Sequence, residues 1–180
     1  SKTKPEGMIQ EALVAGQRAF GENYAQELRD KARAFEGAEP APQWHFIGHL
    51  QRNKVKYVVG NAALVHAVDS EKIAGAIGGR AARQGLVQPV LVEVNVGGEG
   101  SKSGVDPEAA LALCEAVVAT PGLELRGLMT IPPWREDPED VAPFFQALAA
   151  LAAEGRARGL PLTELSMGMS HDFEVAIRHG

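Results

Sequence analysis

Short apolar runs alternate with longer amphipathic stretches along almost the whole chain, and this alternation limits the fold more than any other feature. The clearest apolar run covers residues 89–96, where only Glu93 and Asn95 interrupt it. Such a run is typical of a strand that is buried on both faces, as in a parallel sheet. The alternation therefore predicts an α/β protein, with helices packed on the faces of a parallel sheet.

The pattern predicts six strands, in addition to a strand end or loop at residues 1–4. The predicted strands cover residues 18–21, 43–48, 64–68, 89–96, 123–131 and 162–166. Helical patterns cover residues 5–16, 24–35, 54–59, 70–84, 106–119, 140–157 and 172–179. Seven such units suggest a (β/α)8 TIM barrel that lacks its eighth strand. Because that barrel would have open edges, we expect residues 1–180 to form a single domain that is a fragment of the barrel.

Composition restricts the class of protein. Hydrophobic residues make up 45% of the sequence and charged residues 23%, which is ordinary for a globular protein. The net charge of −5 argues against a nucleic-acid or anionic-membrane surface, because both need a basic field. The single cysteine, Cys114, excludes an internal disulfide, and we expect it to be buried and inert. Without a membrane-length apolar run or a signal-peptide pattern, we expect a cytoplasmic protein.

The chain start carries two lysines, Lys2 and Lys4, directly before Pro5. A proline in the first helical turn is tolerated, and the residue before it favours extended geometry. We therefore place both lysines at a strand end or in the loop after it, where α/β folds carry out chemistry. A solvated basic segment is the ordinary alternative, since exposed lysine is common.

A second group of small polar residues follows the last predicted strand. Ser166, Gly168 and Ser170 lie between this strand and a helical pattern, where backbone amides and hydroxyls can bind an anion. In the alternative interpretation, Ser170 only caps the helix and Gly168 only makes a turn. Residues 98–104 present the same choice between an anion loop and a surface turn.

The remaining titratable residues show no recognisable catalytic or metal-binding pattern. The five histidines are scattered, without cysteine partners or helical pairing, and there is no Gly-x-Ser-x-Gly elbow. Glu22, Asp69 and Glu93 are each compatible with proton transfer or with a structural hydrogen bond. A lysine at one strand end and an anion loop at another suggest a phosphorylated carbonyl ligand, and pyridoxal 5′-phosphate (PLP) fits both ends.

Six ordered motifs resemble the pyridoxal phosphate homeostasis protein family, and the likeness extends over residues 1–180. The motifs are Ser1-Lys2-Thr3-Lys4-Pro5, Phe20-Gly21-Glu22-Asn23-Tyr24, Trp44-His45-Phe46-Ile47-Gly48, Ser101-Lys102-Ser103-Gly104, Arg126-Gly127-Leu128-Met129-Thr130 and Leu165-Ser166-Met167-Gly168-Met169-Ser170. The resemblance implies a barrel similar to the N-terminal domain of alanine racemase. It also implies a PLP carrier with no established turnover, which helps to keep free PLP low.

The resemblance further assigns individual residues. It makes Lys2 the Schiff-base lysine, and Ser166 with the backbone around Met167 and Gly168 the phosphate-binding segment. Asn23 and His45 would line the pocket, while Lys4 and Lys102 would be secondary lysines near its mouth. We expect a monomer that serves PLP-requiring apo-enzymes and binds neither nucleic acid, membrane nor metal.

This sequence departs from the family pattern at three places. The helix and most of the strand that precede Lys2 in the family are missing, as is an eighth strand after Gly180 with an arginine and a Gly-Thr phosphate contact. His171 stands where an acid is usual.

Two other functions remain open at this stage. One is a PLP-dependent enzyme such as an amino-acid racemase, which needs a second acid or base opposite the lysine. The other is a sugar-phosphate aldolase that uses Lys2 and carries no chromophore.

Overall fold

The computed structural model describes residues 1–98 and 103–180. In these residues, six strands form one parallel sheet whose spatial order equals their order in the chain. The strands are β1 (Ala19–Glu22), β2 (Gln43–Phe46), β3 (Leu64–Val68), β4 (Gln88–Glu93), β5 (Leu123–Met129) and β6 (Glu164–Ser166). The sheet curls into a half-barrel, so the carboxyl ends of all six strands meet at one rim.

Helices precede, connect and follow these strands, and the helices between neighbouring strands provide the crossovers that parallel pairing requires. They are α1 (Glu6–Val14), α2 (Ala25–Ala34), α3 (Val55–Val58), α4 (Glu71–Arg83), α5 (Pro107–Val118), α6 (Ala142–Ala157) and α7 (Phe173–Arg178). Two 3-10 turns, Arg52–Lys54 and Pro138–Val141, lead into α3 and α6.

The main core lies between the sheet and the helices on its convex side. Strand residues point alternately to the two faces. In β2, Trp44 and Phe46 are buried in this core, whereas His45 is only half-buried. A smaller apolar cluster of Leu64, Leu91 and Met129 is separate from that core.

The expected fold is confirmed, with differences at some element ends. Residues 1–4 form a turn closed by a 2.9 Å hydrogen bond from the Lys4 amide to the Ser1 carbonyl, so the loop alternative is correct and the strand alternative is wrong. Cys114 is buried as expected, and burial raises the pKa of its thiol to about 12. Throughout the described ranges, every helix falls short of the length or hydrophobicity that a bilayer crossing requires.

Candidate ligand-binding site

A cavity of about 270 Å³ opens at the carboxyl-terminal rim of the sheet. It is lined by residues from the chain start, from the ends of β1, β2 and β5, and from the loop after β6. The lining residues are Lys2, Asn23, Ile47, residues 129–132 and residues 166–169. The parallel sheet thus brings together segments that lie far apart in the sequence.

The turn that carries Lys2 is held through its backbone on both sides of that lysine. Lys31 donates a 2.8 Å hydrogen bond to the Ser1 carbonyl, and the Thr3 amide donates a 2.7 Å bond to Glu27 Oε1. Thr3 has a φ of 60°, a left-handed conformation that non-glycine residues seldom adopt. The contacts from α2 offset the cost of this conformation and fix the direction in which Lys2 leaves the backbone.

Lys31 lies between two carboxylates beneath this turn. Its Nζ is 2.7 Å from Glu22 Oε1 and 2.8 Å from Glu27 Oε1, and the Glu22 side chain is fully buried. Although burial acts to lower the pKa of Lys31, the hydrogen bonds that it donates to Glu22 and Glu27 raise this pKa overall. A charged Lys31 is needed here, because Glu22 would otherwise be an unpaired buried charge. Of the two roles left open for Glu22, the structural one fits this position.

The Lys2 side chain is exposed and lies above the Tyr24 ring, with Nζ 5.3 Å from the ring centroid. It borders the cavity and also a neighbouring hollow that contains Asn23 and His49. Lys4 faces a different hollow, together with Glu27 and Lys31. The two lysines therefore border different cavities, although only Thr3 separates them in the sequence.

The loop after β6 provides the opposite side of the cavity. Gly168 has a φ of +87°, and a Cβ at this position would lie 2.8 Å from Ala176 Cβ. Considering residues 1–98 and 103–180 only, the amides of Met167 and Gly168 donate to no acceptor. Two amide donors and the Ser166 hydroxyl at one cavity edge make an arrangement suited to an anion.

The residue that precedes α7 differs from the one expected. Ser170 is exposed and does not cap the helix; Asp172 occupies this position, and its carboxylate accepts a 2.5 Å hydrogen bond from the Met169 amide. Because this carboxylate is negative and α7 has only six residues, we assign the helix no part in attracting an anion.

A chain of hydrogen bonds connects Ser166 to two histidines. His66 Nδ1 lies 2.8 Å from Ser166 Oγ, and His66 Nε2 lies 3.0 Å from His45 Nδ1. His66 is only 7% exposed, and burial, with a smaller effect of His45, lowers its pKa to about 4. Burial also lowers the pKa of His45. Both rings are therefore neutral near pH 7.

The structure brings most of the proposed site residues together. Lys2, Asn23, Ser166, Met167 and Gly168 border one cavity. His45 does not line it and reaches Ser166 only through His66. Lys102 and most of the second candidate anion loop lie outside the described residues.

Sequence reasoning missed His66 as a site residue. The available signal was a single histidine within the otherwise apolar strand Leu64–Val68. Its partners, however, come from two other strands, and no local pattern identifies them.

Comparison with known proteins places this chain in a family. Residues 4–179 match the model of the family described as alanine racemase, N-terminal domain. A pyridoxal phosphate homeostasis protein of Aquifex aeolicus is 48% identical over 181 residues, covering 100% of this chain and 78% of the relative. The mouse protein of the same name is 42% identical over 191 residues, covering 100% and 70%.

Solved structures show the same relationship. PipY of Synechococcus elongatus PCC7942 with PLP bound has a TM-score of 0.89 at 33% identity, covering 100% of this chain and 84% of that one. The structure of PipY without PLP gives 0.92 at 35% identity, with the same coverage. D-threonine aldolase of Filomicrobium marinum, at 18% identity and a TM-score of 0.76 over 97% of this chain and 48% of its own, shares the fold. The chain therefore belongs to the pyridoxal phosphate homeostasis protein family, whose fold is that of the alanine racemase N-terminal domain.

Proposed function

We propose that this protein binds PLP in the rim cavity and contributes to PLP homeostasis without catalytic turnover. The observation that supports this most directly is the shared cavity, which is lined by both Lys2 and residues 166–168. The PLP carried by PipY, a relative with the same fold, supports the same ligand.

The residues present suit the two ends of this ligand. Lys2 holds the aldehyde end as a Schiff base, while the Ser166 hydroxyl and the amides of Met167 and Gly168 hold the phosphate. Asn23 also lines the cavity, and His45 reaches Ser166 only through the hydrogen bonds of His66. The glycine at position 168 matters because a side chain there would collide with α7. When bound, PLP supplies an electrophilic carbonyl and an electron-withdrawing ring.

The cavity lining also supports a role without catalysis. Among its described residues, Lys2 alone has a titratable side chain; the others are apolar or carry amide and hydroxyl groups. Racemisation through two bases needs a second acid or base opposite the lysine, and the described lining offers none. We therefore propose a carrier rather than a racemase: a single-domain monomer that exchanges PLP with apo-enzymes.

The test compares the purified protein with Lys2→Ala and with Lys4→Ala as the matched control. After loading with PLP and reduction with borohydride, intact-mass measurement should show one adduct in the wild type and in Lys4→Ala, and none in Lys2→Ala. The absorbance band of the Schiff base should follow the same pattern. An adduct that persists in Lys2→Ala would refute the assignment of Lys2.

A second measurement tests the absence of catalysis. The loaded protein should racemise amino acids no faster than Lys2→Ala does. Turnover above this control would favour the racemase alternative.

A further inference from the structure

We infer that His66 is a positioning residue, which fixes the Ser166 hydroxyl as a hydrogen-bond donor towards the ligand's phosphate. This inference rests on the proposed function, because it concerns the phosphate end of the same cavity. His66 itself does not line the cavity and acts only through Ser166.

The geometry restricts the hydrogen bonds that these side chains can form. His66 uses both ring nitrogens, Nδ1 towards Ser166 Oγ at 2.8 Å and Nε2 towards His45 Nδ1 at 3.0 Å. A neutral imidazole has one donor nitrogen and one acceptor nitrogen. The hydrogen bonds from His45 through His66 to Ser166 can therefore run in either of two directions. The direction determines whether the Ser166 hydroxyl can donate a hydrogen bond to a ligand.

In one direction, Ser166 donates its proton to His66 Nδ1, and His66 Nε2 donates to His45. The serine oxygen is then left only as an acceptor, which an anionic phosphate cannot use well. In the other direction, His45 Nδ1 donates to His66 Nε2, His66 Nδ1 donates to Ser166 Oγ, and the hydroxyl proton is free for the ligand. A bound phosphate selects the second direction, because its oxygens accept hydrogen bonds.

Burial of His66 protects its hydrogen bonds to His45 and Ser166. At 7% exposure, His66 is shielded from water, which could otherwise replace either partner. Its neutral ring keeps the acceptor nitrogen that the relay needs, in agreement with the lowered pKa. A doubly protonated ring would lose that acceptor, so His45 could no longer donate to it.

The experiment measures affinity for PLP and for pyridoxal, which lacks the phosphate, in matched variants. Ser166→Ala should weaken PLP binding by about tenfold to a hundredfold, as expected for a lost hydrogen bond to a charged group. His66→Leu should weaken PLP binding by about threefold to tenfold, because the hydroxyl is no longer oriented. Pyridoxal affinity should stay within about twofold in both variants.

Rescue and coupling separate orientation from a loss of packing. His66→Asn retains a side-chain amide that can donate to Ser166, so it should keep most of the PLP affinity. In the Ser166→Ala background, His66→Leu should not further lower the ratio of PLP affinity to pyridoxal affinity, because His66 acts through the missing hydroxyl. An unchanged ratio in His66→Leu alone, or equal losses in both backgrounds, would overturn the inference.

A measurement on the unmodified protein covers the case in which the variants do not fold. Nitrogen-15 NMR of the PLP-loaded protein should show the proton of His66 on Nδ1, and a proton on Nε2 would refute the proposed direction. Wild-type protein that fails to bind PLP would instead refute the proposed function. If the wild-type protein binds PLP and Ser166→Ala weakens that binding, but the His66 variants do not behave as expected, only the inference about His66 is refuted.

Discussion

Gly168 combines two requirements that only glycine meets. Its φ of +87° is in the left-handed region, and an added Cβ would lie 2.8 Å from Ala176 Cβ and 3.0 Å from Phe173 Cα. The first requirement concerns backbone strain, and the second concerns the packing of the loop against α7. Gly159, with a φ of +86° and no atom within 4 Å of its added Cβ, has only the first requirement.

This pair provides a matched test of the loop. Gly159→Ala should lower the free energy of unfolding by about 1 kcal/mol, through backbone strain alone. Gly168→Ala should cost about 1–3 kcal/mol more, because the α7 backbone must move, and it should also weaken PLP binding. Urea denaturation of the two variants checks the difference. Equal losses would show that α7 yields to the new methyl group.

At the scale of elements, α2 connects the core to the turn at the chain start. It carries Lys31 and Glu27 on one side, four residues apart, and these two side chains contact the peptide groups on either side of Lys2. The position of α2 and the direction of Lys2 are therefore coupled. Glu22, at the end of β1, completes the link, because it accepts hydrogen bonds from both Lys31 and the Ser1 hydroxyl.

Lys31→Met should destabilise the fold by about 3–5 kcal/mol, because it leaves the buried Glu22 carboxylate without its partner. It should also reduce the yield of the Lys2 adduct, since the turn loses the hydrogen bond from Lys31 to the Ser1 carbonyl. Chemical denaturation and the borohydride adduct assay measure these two effects.

Arg33→Met, an exposed change on the same helix, is the control and should stay within about 0.5 kcal/mol. Adding Glu22→Gln to Lys31→Met should recover part of the stability, because the uncompensated charge is removed. No recovery would indicate that Lys31 stabilises the fold through packing rather than charge.

At the scale of the whole molecule, two buried groups make opposite contributions to pH dependence. Burial lowers the pKa of His66 from 6.5 to about 4, so its stabilisation is present above pH 6.5 and is lost as the pH falls towards 4. Burial, and then the nearby Asp69, raise the pKa of Glu93 from 4.5 to about 7. Its stabilisation is present below pH 4.5 and is lost as the pH rises towards 7.

The two effects on the free energy of unfolding should nearly cancel between pH 4.5 and 6.5, since the two pKa changes are of similar size, each at most about 3–4 kcal/mol. Replacing one of the two groups should reveal the pH dependence that the other group contributes. In Glu93→Gln, the free energy of unfolding should rise with pH over this range, and in His66→Asn it should fall. Urea titrations at several pH values measure these slopes. If the free energy of unfolding varied with pH in the same way in both variants and the wild type, His66 and Glu93 would not be the groups responsible.

Much of the fold was predictable, because local apolar runs mark buried strands. The bounds of β3, Leu64–Val68, match the prediction, and β1 is displaced by one residue. The rim location of Lys2 and Ser166 followed from the general position of sites in parallel α/β folds. The relation of His66 to Ser166, and of Glu22 to Lys31, was not predictable, because it depends on which strands and helices become neighbours.

The cavity joins a residue that precedes all six strands to a loop that follows the last of them. During synthesis, the Lys2 amine therefore leaves the ribosome long before any enclosure exists around it. A nascent chain that has not yet reached β6 lacks the Ser166 side of this cavity, so its Lys2 has no phosphate-binding partner of the kind proposed here. If Lys2 carries the ligand as proposed, its retention requires that β6 and the loop after it have already folded against the turn at Lys2.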